Sequence, residues 1–263
     1  MMRKIFDDMA RMSVRYNDLY ILGRSIEGYF SKYCEALGIL SDLDGYPLFV
    51  RGSATLIKYR GRYFMACTRH QVKDISARED VCLMLPHDGK LNCITSGGAI
   101  SYDKSKNAGD HHDVVLFDFT DPVMDMPELE HMFLDFRGQN PDVPSDHVVA
   151  VVTYGYPSGK TKLDYDDRKL RMLKEKVVCR YAGQGHDDAL HTIAPIVPMN
   201  FKSDGMSGGP AFTIIREGEG LTIHLAGIIA RAGREQMRII KAGALQMMME
   251  ERMRLRPRPA IDL

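Results

Sequence analysis

Apolar residues in the first forty positions recur at helical steps. Between Ile21 and Leu40, the residues Leu22, Ile26, Tyr29, Phe30, Tyr33 and Leu37 follow at three- and four-residue intervals and make one stripe, which predicts a helix over residues 1–40. Asp42, Asp44 and Gly45 break the stripe. From Pro47 the pattern changes to short β-type runs. Residues 47–59 and 61–70 form two such runs joined at Arg60-Gly61, a hairpin signal. Further runs occupy 80–85, 93–102, 113–119, 147–156, 176–182, 191–199, 209–215 and 221–230, separated by turn residues at 86–90, 156–160, 182–188 and 216–220. Many short strands with almost no intervening helix predict an all-β barrel or sandwich. Residues 120–146 are polar, carry prolines and lack β pattern, which suits a link between two β halves. After Gly243 the pattern predicts a terminal helix ended by Pro257 and Pro259.

Composition narrows the class. Thirty-five Lys+Arg balance 35 Asp+Glu, so no global field draws in nucleic acid or an anionic membrane, and neither partner is expected. The five cysteines (Cys34, Cys67, Cys82, Cys93, Cys179) are odd in number and show no CxxC pairing. That argues against a disulfide framework or a zinc knuckle and for a reducing compartment. Asp7, Asp8, Arg11, Arg15 and Asp18 interrupt the first twenty residues, where a leader needs an apolar core. No apolar run approaches the ~18 residues that span a bilayer. The expectation is a soluble, cytoplasmic protein.

The sharpest chemical signal is Gly205-Met206-Ser207-Gly208-Gly209-Pro210. A serine among glycines exposes its hydroxyl on a tight turn and points neighbouring amides at one spot, where they stabilise a tetrahedral oxyanion. The same string also serves as a plain glycine-rich turn, and alone it decides nothing. A serine nucleophile needs a base, and the base an orienting acid. His70 ends the run 61–70, and Asp113 opens the run 113–119.

Taken together in the order His, Asp, Ser, these residues resemble the trypsin-like (chymotrypsin-fold) serine peptidases. Residues 52–57 followed by Cys67-Thr68-Arg69-His70 look like that family's first hairpin and histidine loop. Asp113-Val114-Val115-Leu116 is similar to its aspartate segment. Residues 205–210 match its nucleophile loop, and residues 225–229 resemble the strand that follows. The resemblance covers about residues 47–240. It implies an all-β fold of two antiparallel β-barrels of the chymotrypsin type. The first barrel would span 47–125, a linker 126–146 and the second barrel 147–240, between an N-terminal helical extension (1–46) and a C-terminal helix and tail (241–263).

It also implies an endopeptidase that cleaves protein substrates without a cofactor or metal. His70 would be the general base, Asp113 its orienting acid and Ser207 the nucleophile, with the amides of Gly205 and Ser207 as the oxyanion hole. Phe201, Lys202, Arg231 and Ala232 would surround the primary specificity pocket, where Phe201 in place of an aspartate argues against trypsin specificity. Two departures stand out. Met206 replaces the aspartate that precedes the nucleophile in extracellular members, so activation through a freed N-terminus is not available. Thr68-Arg69 replaces the usual pair of alanines before the histidine.

The string Gly155–Thr161 is one residue short of a phosphate loop, and no amphipathic helix follows it. His111, His112 and Asp113 are neighbours that alternate faces on a strand, which makes a shared metal awkward. Arg252, Arg254, Arg256 and Arg258 make a short basic tail. The N-terminal helix packs on the barrel or docks a regulatory protein. The alternative of another class is a protease-fold binding module whose triad is latent or unused.

Overall fold

The computed structural model describes residues 13–43, 47–73, 80–87, 90–101, 112–138, 147–164 and 169–255. Along the chain run β1 (Ser13–Tyr16), β2 (Leu19–Leu22), α1 (Ile26–Ser31), β3 (Cys34–Leu40), β4 (Leu48–Tyr59) and β5 (Arg62–Cys67). Next come β6 (Val81–His87), β7 (Lys90–Thr95), β8 (Ala99–Ser101), β9 (Val115–Asp118), α2 (Thr120–Asp125) and β10 (Leu134–Asp135). The remainder holds β11 (Val148–Gly155), β12 (Thr161–Asp164), β13 (Lys169–Met172), β14 (Glu175–Gln184), β15 (Leu190–Pro195), β16 (Pro210–Glu217), β17 (Gly220–Ala232), β18 (Met237–Lys241) and α3 (Ala242–Leu255). The protein is mostly β, as the run pattern predicts.

The strands make two large sheets. In the C-terminal sheet the order β16-β11-β14-β15-β18-β17 returns on itself through a β16–β17 pairing, giving a closed antiparallel barrel of six strands. Register shifts at Val148/Ala150, Tyr181/Gly183, Ala211/Phe212 and Ile229/Arg231 are the bulges that bend the strands enough to close it. The N-terminal sheet runs β7-β6-β3-β4-β5-β9-β8 and is a curled half-barrel that does not close among the described residues. The architecture is consistent with two barrels, one complete and one half. The β4–β5 hairpin turns at Arg60-Gly61, as expected, with both residues at positive φ (47° and 72°) in the I′ manner.

The N-terminal segment departs from expectation. Residues 13–22 form the β1–β2 hairpin, and β1 adds to the closed barrel beside β17 in parallel. Among the described residues of this segment, only Ile26–Ser31 is α-helical. β3 belongs to the half-barrel, paired with β4 and β6. The reason is burial on both faces. Cys34, Ala36, Leu37 and Ile39 are all buried, so β3 shows no alternation, and a continuous apolar run cannot be told from a buried helix by period.

The expected linker 126–146 also has structure where it is described. A 3₁₀ segment, Pro127–Met132, leads into β10, which pairs with β4, and Phe133 and Phe136 are buried. The terminal helix is present as α3. It leaves the closed barrel after β18 and reaches the half-barrel, where Arg252 Nε donates to Asp118 Oδ2 at 3.2 Å. No helix of the described residues is long and apolar enough to cross a membrane.

Candidate active site

The pairing of β5 with β9 brings the first two candidate residues together. Cys67 is registered against Val115, so the turn after β5 and the segment before β9 leave the sheet side by side. His70 sits in a single 3₁₀ turn, Arg69–Gln71, just past β5. Its ring Nδ1 lies 2.6 Å from Asp113 Oδ2, and its backbone amide donates to Asp113 Oδ1 at 2.9 Å. One carboxylate thus holds both the ring and the main chain of the histidine. Because an ionised carboxylate only accepts, Nδ1 carries the proton and Nε2 is left as the basic edge. Burial pushes the neighbouring Cys67 thiol well up, and the charge of Asp113 adds to the effect.

The third residue comes from the other sheet. Ser207 lies in the glycine loop that enters β16, held in place by Met206, which is fully buried in the core of the closed barrel. Glycine is needed twice. Gly205 has φ +90° and Gly208 φ +83°, and a Cβ would fall 2.5 Å from Tyr156 O at the first and 2.1 Å from Ser53 O at the second.

Three carbonyls of this loop accept from side chains of the half-barrel. Ser53 Oγ donates to Gly205 O at 2.6 Å, Gln71 Nε2 to Ser207 O at 3.0 Å and Thr55 Oγ1 to Gly208 O at 2.7 Å. With the carbonyls drawn to that side, the amides of Gly205 and Ser207 meet no acceptor among the described residues. They are the free donors an oxyanion site requires.

His70, Asp113, Gly205 and Ser207 line one open cleft of about 670 Å³ between the sheets. Arg51, Arg69, His112, Asp204, Arg231 and Ala232 border it as well. Phe201 and Lys202, expected at the specificity pocket, do not line this cleft: Phe201 packs half-buried on the barrel core under Lys160 Nζ, 5.1 Å from its ring centre, and Lys202 is exposed. Ser203 Oγ donates to Ala232 O at 2.6 Å and closes the cleft wall beside Arg231.

One contact of a working triad is not made. Ser207 Oγ donates to Ala230 O at 3.2 Å and not to His70. His70 Nε2 instead lies 3.4 Å from Thr68 Oγ1. The histidine–aspartate half is assembled, and the serine is turned aside.

The remaining motifs fall in place as structure. Gly155 ends β11, Ser158 N donates to Asp204 O at 2.7 Å, and Lys160 pairs with Glu175, so this string supports the loop that carries Ser207. All five cysteines are free thiols. His111, Arg256, Arg258 and residues 1–12 lie outside the described residues. Sequence reasoning missed Ser53, Thr55 and Gln71; the signal was polar residues at every second position inside an apolar strand, and a buried-type polar residue straight after the histidine. No family model and no curated protein matches the chain.

Proposed function

We propose that this protein is a serine endopeptidase of the trypsin-like type, acting on protein substrates through an acyl-enzyme. The observation that carries the reading is the short His70 Nδ1–Asp113 Oδ2 contact facing, across one cleft, a serine on a loop whose flanking amides are free. Rotation about χ1 of Ser207 exchanges a single hydrogen bond, to Ala230 O, worth about 1 kcal/mol net. Oγ then gives its proton to His70 Nε2 as it bonds to the substrate carbonyl carbon. The carbonyl oxygen takes the negative charge toward the amides of Gly205 and Ser207. His70 passes the proton to the leaving amine, the C–N bond breaks, and the acyl-serine remains. Water repeats the sequence, losing its proton to His70, and frees the acid and Ser207. Asp113 keeps the ring oriented and balances the imidazolium. In this role Arg231 and Ala232 line the side-chain pocket.

The turned-aside serine favours a second reading, a protease-fold module that stays latent until a partner realigns Ser207. Intact-mass labelling with a fluorophosphonate, beside Ser207→Ala, tests both. One adduct on the native chain and none on the variant supports the peptidase. No adduct on either chain overturns constitutive activity and leaves the latent module.

A further inference from the structure

We propose that Gln71 is the positioning residue that sets the histidine loop and the serine loop at one fixed spacing; this rests on the peptidase reading above. Its side chain is buried, 8 % exposed, at the seam of the two sheets. The carboxamide oxygen accepts from Thr68 N at 2.8 Å and from Thr68 Oγ1 at 2.6 Å, both in the loop that carries His70. The carboxamide nitrogen donates to Ser207 O at 3.0 Å, to Ser53 O at 3.1 Å and to Arg51 O at 3.3 Å. One planar group therefore touches the base's loop, strand β4 and the nucleophile itself.

The chemistry fits an amide and nothing of similar size. Glutamate keeps the acceptor but would set a charge against three carbonyl oxygens, and methionine keeps the shape but offers neither donors nor a strong acceptor. The oxygen has a second effect. Since an amide oxygen only accepts, the Thr68 hydroxyl proton is committed to Gln71, and Thr68 turns lone pairs toward His70 Nε2. Thr68 therefore accepts from that nitrogen only when it is protonated. No room exists for slack on the far side: a Cβ on Gly208 would fall 2.9 Å from Gln71 Oε1.

The spacing of base and nucleophile is where a small displacement matters most, since a 1 Å misplacement costs about 10²-fold in rate. The test compares Gln71→Met, Gln71→Glu and Thr120→Val, the last removing a different buried hydrogen bond (Tyr63 N donating to Thr120 Oγ1) among residues that do not line the cleft. The rate of Ser207 phosphonylation should fall about 10²-fold in both Gln71 variants with the apparent affinity for the reagent unchanged. Thr120→Val should lose thermal stability but keep the wild-type rate below its melting point. The low-field proton resonance of the His70 Nδ1–H bonded to Asp113 gives a readout independent of catalysis. It should be sharp in the wild type and in Thr120→Val, and broadened or lost in Gln71→Met. If the wild type takes no label while the resonance behaves so, the peptidase reading fails and Gln71 is left as a structural tie between the two loops. A wild-type rate with an unchanged resonance in Gln71→Met overturns the positioning role, as do equal rate losses in Gln71→Met and Thr120→Val.

Discussion

Ser53 and Gly205 meet across the seam between the two sheets, and the Ser53 hydroxyl is used twice: it donates to Gly205 O at 2.6 Å and accepts from Tyr156 N at 2.8 Å. A fully buried hydroxyl with both roles filled fixes the loop that carries Ser207 against β4. The cleft is built by such cross-sheet bonds more than by either sheet alone.

Asp113→Asn tests the orientation of the base. An amide facing His70 presents N–H to Nδ1 and drives the ring proton to Nε2, where it blocks acceptance from Ser207. Phosphonylation should fall by on the order of 10⁴-fold with the fold intact. A circular-dichroism melt run alongside separates this from unfolding.

Gly208→Ala tests the closeness of the two sheets at the site. The new methyl would lie 2.1 Å from the Ser53 carbonyl, at a φ of +83° that disfavours side chains. Strain and a forced separation together should lower stability by about 2 kcal/mol or more, measured by urea denaturation.

Glu35 gives the protein a pH signature. Burial pushes its carboxyl up from 4.5 to about 7, against the opposing pull of Lys174, whose Nζ is 3.9 Å away. Between those two values the folded state binds more protons than the unfolded state, so this group's contribution falls as pH rises from 4.5 to 7. Glu35→Gln should flatten that slope and raise the melting temperature at pH values above the folded-state value. A wild-type slope retained in the variant would exclude Glu35 as its source.

Cys93 should be the first thiol to react. Hydrogen bonding from Cys82 lowers its pKa, and it is half-buried where Cys34, Cys67, Cys82 and Cys179 are buried. Brief treatment with iodoacetamide at neutral pH, followed by peptide mapping, should find one carbamidomethyl group, on Cys93, and none in Cys93→Ser.

The strands from Pro47 onward were legible because short apolar runs rich in β-branched and aromatic residues end in turn residues, as at Arg60-Gly61. The segment around β3 was not, because Cys34–Leu40 is apolar on both faces and the preceding aromatics do fall at helical intervals. His70 and Asp113 were legible as a pair from their places beside β-type runs, and the register Cys67↔Val115 is the reason they meet. The direction in which Phe201 faces was not legible, because counting back from Ser207 gives distance along the chain only; the residue packs on the core of the closed barrel. Ser53, Thr55 and Gln71 form their bonds over separations of 152, 153 and 136 residues, so the local pattern marks them as polar residues in an apolar setting but not their partners.

β1 starts the described chain on the closed barrel before β3 joins the half-barrel, and α3 leaves the closed barrel to reach Asp118 on the half-barrel. Each sheet therefore borrows a terminal piece threaded from the other side, as two halves of a parcel are held by string crossing both. Fragments cut between residues 138 and 147 would each leave an end behind: the front half would lose the partner of β1, and the back half the anchor of Arg252. The two sheets should therefore unfold together, in one melting transition however many lobes the eye divides the protein into.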